Sequence, residues 1–145
     1  MKKILITIAL IMGFQITFSQ VVRDFKTKNE NNIKDRTMML DILRANLYQN
    51  YQQEFIFVIR HFKVSNNYAW FEGNAQRKDG KMIKFDEGEN SCCLVTSLFK
   101  KSNGKWYIVE SGAFGTDVWW YGIGSRYPAA PRAIFPNGNT YYNDN

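Results

Sequence analysis

The spacing of apolar residues changes from a helical period to a strand-like period along the chain. A helical period occupies residues 35–51. There, Met39, Leu43 and Leu47 recur every four residues, which places them on one side of an amphipathic helix. From Phe55 onward, apolar residues follow one another or alternate with polar ones, a pattern typical of β-strands.

Turn residues divide the strand region into about five segments. Asp79-Gly80 and Asn103-Gly104 tolerate positive φ angles and therefore predict tight hairpins. Strands are predicted from Phe55 to a turn at residues 65–67, and then over residues 68–77, 81–85, 92–101 and 105–111. The sequence thus favours an α+β fold, in which one N-terminal amphipathic helix packs on a curved antiparallel sheet of about five strands.

The C-terminal part of the chain follows neither period. After Gly112 it contains a group of aromatic residues at 119–121 and then prolines at 128, 131 and 136. Proline lacks the backbone donor that a regular helix needs. We therefore expect an extended aromatic C-terminal arm that packs on the domain, and a frayed tail over residues 137–145.

The first 19 residues have the layout of a secretory signal peptide. Lys2 and Lys3 precede an apolar run, and Thr17-Phe18-Ser19 supplies the small-x-small pattern of a cleavage site. The run is shorter than the roughly 20 apolar residues that span a bilayer, although an uncleaved anchor is the alternative. The prediction is an exported protein, periplasmic or secreted, with no stable membrane span after cleavage.

The remaining residues predict one domain. We expect a flexible leader or short edge segment over residues 20–34 and a single α+β domain over residues 35–136. Removal of the signal peptide would lower the formal net charge from +6 to about +4. This charge is small and its basic residues are scattered, so nucleic acid is not an expected partner. The expected partner is a protein or a small ligand in the cell envelope.

Cys92 and Cys93 are the two cysteines of the chain. Adjacent residues of a strand point to opposite faces, so a bond between them requires a tight turn. We therefore expect two separate thiols. A redox switch or an intermolecular bridge is the alternative in an oxidising compartment.

Candidate catalytic residues are sparse. His61 is the single histidine, and a pair with Asp117 would provide a general acid and base if the two side chains met. The sequence predicts no cofactor and no metal site, because one histidine and two adjacent cysteines do not form a zinc ligand set. The acidic segment 86–90 is expected to be a solvated turn rather than a calcium loop.

The strongest candidate binding surface combines aromatic rings with charged side chains in the C-terminal segment. Exposed rings beside arginines are common in protein and glycan contacts. The alternative is a structural plug, in which Trp119 and Phe135 close the open end of the sheet. The predicted ligand-binding or partner-binding residues are Thr116, Asp117, Trp119, Trp120, Tyr121, Arg126, Tyr127 and Arg132.

Two resemblances to known families follow from these elements. The helix and the closing hairpin LVTSLFKKSNGKWYIVE resemble the cone-shaped cystatin-like and SnoaL-like (nuclear-transport-factor-two-like) folds. The order YAWFEGNAQRKDGK, GKWYIVE, GTDVWW and YPAAPRAIFP resembles that of a group of small exported bacterial proteins of unknown function. The second resemblance implies a family but no catalytic residues.

Three functions remain open from the sequence. The first is an exported, non-catalytic binding or accessory module of the bacterial cell envelope. The second is a small cone-fold enzyme, a hydrolase or isomerase that uses His61 and Asp117. The third is an envelope inhibitor or immunity-type protein.

Overall fold

The computed structural model describes residues 20–85 and 92–143, which form a five-stranded antiparallel sheet and one main helix. The predicted α+β class with an antiparallel sheet is therefore confirmed. The order of strands in the sheet follows their order in the chain. The elements are β1 (Arg23–Asp24), α1 (Ile33–Tyr51), β2 (Phe55–Ser65), β3 (Tyr68–Arg77), β4 (Leu94–Ser102), β5 (Lys105–Ala113) and α2 (Ile123–Arg126).

The buried side of α1 packs on one face of the sheet. Met39, Leu43 and Leu47 are at most 2% exposed and lie in one apolar cluster with Phe62 and Phe71 of the sheet. Each such side chain contributes roughly 1.5–3 kcal/mol when it leaves water. The four-residue spacing in the sequence thus corresponds to the surface that joins α1 to the sheet.

Two tight turns connect the long strands. Asn66 and Asn67 join β2 to β3 with φ angles of 45° and 62°. Asn103 and Gly104 join β4 to β5 with φ angles of 50° and 75°. Positive φ at both central residues is typical of the type I′ turn, whose twist matches that of the flanking strands. The predicted turn at residues 65–67 and the predicted hairpin at Asn103-Gly104 are confirmed, whereas Asp79-Gly80 does not form the predicted hairpin because no strand lies in residues 81–85.

The predicted strand over residues 81–85 is wrong. The chain does turn after β3, where the Gly80 N–H donates to the Arg77 carbonyl (3.1 Å). However, the side-chain amide of Gln53 accepts from the Lys84 N–H (2.9 Å) and donates to the Lys84 carbonyl (2.7 Å). These bonds occupy backbone groups that a strand neighbour would need, and β3 pairs with β4 instead.

The fifth strand comes from the segment that was expected to be a flexible leader. Arg23 and Asp24 pair with Val64 and Lys63 at the edge of β2. Phe25 follows at 1% exposure, with its ring 5.7 Å from that of Phe62. Burial of this ring holds the segment on the sheet, so its structure matches the alternative of a short edge segment.

Cys92 and Cys93 form a disulfide with each other, so the expectation of two separate thiols is wrong. The two residues precede β4, which begins at Leu94. Because they lie in a bend rather than in a strand, the alternation of side chains along a strand does not separate them.

The C-terminal segment covers the face of the sheet that α1 leaves open. It consists of turns, α2 and two 3₁₀ turns (Arg132–Ile134 and Asn139–Tyr141) instead of one extended arm. Trp70 of β3 lies beneath it, with ring centroids 5.3 Å from Phe135 and 5.8 Å from Tyr141. Tyr141 is 8% exposed, so this part of the predicted frayed tail is packed. Within the described residues, no helix is long and apolar enough to cross a bilayer.

Candidate functional site

A cleft of about 260 Å³ opens where β4 and β5 meet the beginning of the C-terminal segment. We call it the aromatic cleft and define it by six of its lining residues: Leu94, Thr96, Gly112, Asp117, Trp119 and Trp120. The sheet supplies one wall, and the loop after β5 supplies the other. The cleft therefore exists because the chain folds back over β4 and β5.

Gly112 allows the two walls to approach each other. It lies opposite Thr96 in the antiparallel pairing of β4 and β5. A Cβ atom at Gly112 would lie 2.9 Å from Cε2 of Trp119 and closer still to Nε1. The missing side chain thus makes room for the indole ring against the backbone of the sheet.

Two polar groups in the cleft lack hydrogen-bond partners among the described residues. They are the Thr96 hydroxyl and the Trp119 indole N–H, and both atoms are buried. Buried polar groups are usually hydrogen-bonded, because losing water without a replacement partner costs about 1–3 kcal/mol. Because each atom has almost no accessible surface, a ligand that accepts from the indole and exchanges a hydrogen bond with the hydroxyl would satisfy both groups only if the Trp119 ring shifts on binding.

Asp117 and Trp120 complete the polar and aromatic character of the cleft. Asp117 is exposed, so its carboxylate is accessible to a bound molecule. The rings of Trp119 and Trp120 are 6.0 Å apart in an edge-to-face arrangement, and both are partly buried. The segment turns here, so both rings pack on the protein although the two residues are adjacent in the chain.

Arg126 holds the loop that carries the two tryptophans. Its guanidinium donates to the carbonyls of Tyr121 (2.6 Å) and Trp119 (3.3 Å) and to the Glu110 carboxylate (3.1 Å). Glu110 also hydrogen-bonds the Tyr127 hydroxyl, which raises the pKa of Tyr127. Arg126 and Tyr127 are both predicted site residues. They therefore help to hold the walls of the cleft in place without lining it themselves.

The other predicted site residues do not line the cleft. Thr116 and Tyr121 are exposed neighbours of the loop. The Arg132 guanidinium lies 4.1 Å from the centre of the Tyr142 ring and lines a different groove, next to Lys63. The sequence grouped these residues because they are close in the chain.

His61 and Asp117 do not form the hydrogen-bonded pair that an acid–base mechanism would need. The Nε2 atom of His61 lies 2.7 Å from the Ile134 carbonyl oxygen, on the face beneath the C-terminal segment. Asp117 lines the aromatic cleft with the ends of β4 and β5 instead. The structure thus places the two candidate catalytic residues in different surroundings.

Among residues 20–85 and 92–143, no group of three or more histidine, cysteine or acidic side chains could hold a metal ion. The acidic segment 86–90 lies outside the described residues. Sequence reasoning missed Thr96 and Gly112, whose part in the cleft depends on strand register. Their signals in the sequence were weak: a polar residue within LVTSLF and a glycine after the last predicted strand.

The chain was compared with protein-family models, with curated proteins and with solved structures. None of the three comparisons gives a match.

Proposed function

We propose that this protein is an exported, non-catalytic binding module of the bacterial cell envelope, and that the aromatic cleft holds a small hydroxylated ligand such as a sugar. The observation that carries the proposal is the pair of unsatisfied polar groups, Thr96 Oγ1 and Trp119 Nε1, in a cleft with a carboxylate and two indole rings. We also propose that the fold is similar to the cystatin-like and SnoaL-like cone folds.

The chemistry of the cleft favours a neutral hydroxylated ligand over a cation. Indole rings and the Asp117 carboxylate would attract either class. The Trp119 N–H, however, needs an acceptor, and a hydroxyl group accepts while a quaternary ammonium does not. A volume of about 260 Å³ suits a molecule smaller than a drug, such as one sugar unit.

In this proposal the C-terminal segment has both of the roles that the sequence left open, the structural plug and the binding surface. Trp119 packs 6.1 Å from Trp70 and helps to cover the sheet. Its indole edge also lines the aromatic cleft. The sheet face itself is covered, so we place ligand binding in the cleft rather than on an open concave surface.

Saturation-transfer NMR tests the ligand class. The purified protein is mixed with glucose, galactose or N-acetylglucosamine, and separately with choline as a cationic probe. We expect transfer to at least one sugar and its loss in Thr96→Val and Asp117→Asn. Asp41→Asn is the matched control, since Asp41 pairs with Arg44 on the exposed side of α1. Transfer to choline alone, or to no probe, would refute the ligand proposal.

Export is tested separately. Cleavage after Ser19 would give a mature protein that begins at Gln20. Intact-mass measurement of the protein recovered from the envelope and the medium should show this N-terminus. A cell-bound protein that retains residues 1–19 would show that the segment is an anchor.

A further inference from the structure

The first half of β2 forms a free edge of the sheet. β1 pairs with Val64 and Lys63, and the Phe25 N–H donates to the Phe62 carbonyl (2.7 Å). Among the described residues, no strand lies beside residues 55–60 on that side. Such an edge presents unpaired backbone donors and acceptors to another strand.

The hydrogen bonds of β2 show which backbone groups face outward. The Lys78 N–H donates to the Glu54 carbonyl (2.9 Å), so the backbone of Glu54 faces β3. Backbone direction alternates along an antiparallel strand. The N–H and C=O groups of Phe55, Phe57 and Ile59 therefore point towards the free side, as far as the irregularity between Ile59 and His61.

The side chains along this edge form an apolar pair between two opposite charges. Ile56 and Val58 are 44% and 51% exposed. They share one face with Glu54 before them and with Arg60 after them, both of which are exposed. Next to this edge, where α1 packs, a groove of about 550 Å³ runs between α1 and the beginning of β2.

We propose that this edge pairs with the same edge of a second copy of the chain, antiparallel and centred on Phe57. Outward backbone groups then meet in hydrogen-bonded pairs, Phe57 with Phe57 and Phe55 with Ile59. The side chains that face each other across the interface are Ile56 with Val58 of the second copy and Glu54 with Arg60 of the second copy.

The charges along this edge favour a second copy of the chain as the partner, and they favour one alignment of the two strands. In the register centred on Phe57, each of the two Glu54 carboxylates faces an Arg60 guanidinium, and apolar residues meet between them. A register centred on Val58 would instead place Arg60 opposite Ile56 and Glu54 opposite Phe62. The edge is therefore complementary to itself in one alignment.

Charge reversal tests the dimer. Sedimentation equilibrium on the purified protein should show reversible dimers with a micromolar Kd. Glu54→Arg and Arg60→Glu should each raise that Kd about tenfold, because both symmetric pairs become repulsive. The double variant should restore the affinity. Lys105→Glu, an exposed charge reversal on β5, is the control and should leave the Kd unchanged.

Cysteine cross-linking tests the register. Under mild oxidation, a mixture of Ile56→Cys and Val58→Cys proteins should form a linked heterodimer, because these positions face each other without intervening hydrogen bonds. Either variant alone should cross-link far less. A monomer at all concentrations, no rescue by the double charge reversal, or cross-linking without this pairing preference would overturn the proposal. None of these readouts involves the aromatic cleft, so they are independent of its ligand.

Discussion

The indole ring of Trp119 lies directly against the backbone of Gly112, in the space that a side chain would otherwise occupy. This contact joins the loop after β5 to the edge of the sheet, and both residues line the aromatic cleft. Gly112 is thus required for a close approach between a ring and a strand.

Gly112→Ala should destabilise the protein by about 1–3 kcal/mol, the usual cost of forcing an extra carbon into a packed site. The new methyl group displaces the Trp119 indole, so tryptophan fluorescence should also shift in the folded state. Urea unfolding followed by fluorescence measures both effects. Gly115→Ala is the control, because a Cβ atom there would approach only Oδ1 of the exposed Asp117. Equal stability of the two variants would contradict the packing argument.

A second relationship ties the C-terminal segment to β3. The Tyr141 hydroxyl and the Trp70 indole N–H both donate to Oε1 of Glu72, the latter at 2.9 Å. Burial and the Glu72 carboxylate raise the pKa of Tyr141 above its ordinary value of 10.0. Because the pKa of Tyr141 is higher in the folded protein than in the unfolded chain, this group stabilises the fold at every pH at which tyrosine is neutral in the unfolded chain. That stabilisation is lost as the pH rises from about 10 towards the folded pKa.

Tyr141→Phe should therefore lower the free energy of unfolding by about 1–2 kcal/mol at pH 7, through the lost hydrogen bond. Above pH 10 the gap between variant and wild type should narrow, because only the wild type loses stability by ionising this group. Urea unfolding at pH 7 to 11 provides the comparison. Tyr121→Phe, at a 59% exposed site, should follow the wild type throughout. A gap that stays constant with pH would exclude the linkage.

The core beneath α1 leads to a third prediction. Leu43 is fully buried in the cluster between helix and sheet, so Leu43→Ala removes apolar surface and leaves a cavity. We expect a loss of about 2–5 kcal/mol in the free energy of unfolding. Tyr48→Ala on the same helix, at a 49% exposed position, should cost less than about 1 kcal/mol. Thermal unfolding of the two variants separates these effects.

The parts of the fold that sequence reasoning predicted are those set by neighbours in the chain. The stripe of Met39, Leu43 and Leu47 follows from helical geometry, and Asn103-Gly104 follows from the φ angles of a two-residue turn. The failure at residues 81–85 has a non-local cause. The side chain of Gln53 hydrogen-bonds the backbone N–H and C=O of Lys84, which lies 31 residues further along the chain. No local sequence pattern predicts such bonds.

The site was predicted in part for the same reason. Asp117, Trp119 and Trp120 drew attention because their residue types are concentrated in one segment. Thr96 and Gly112 become part of the aromatic cleft only through the pairing of β4 with β5 and the return of the loop over them. Strand register and the fold-back of a loop are tertiary properties, which composition and periodicity do not contain.

Arg126 provides a final test of how the cleft is held. Its planar guanidinium donates to two loop carbonyls and to Glu110 at once, a geometry that the single ammonium group of lysine does not reproduce. Arg126→Lys should therefore loosen the loop that carries Trp119 and Trp120 while the sheet remains folded. Acrylamide should quench tryptophan fluorescence more strongly in this variant, because Trp70 and Trp106 stay buried and the added exposure comes from the loop. Arg132→Lys, which lies beside Tyr142, is the control and should quench like the wild type. Unchanged quenching in Arg126→Lys would show that the rings are held by packing alone.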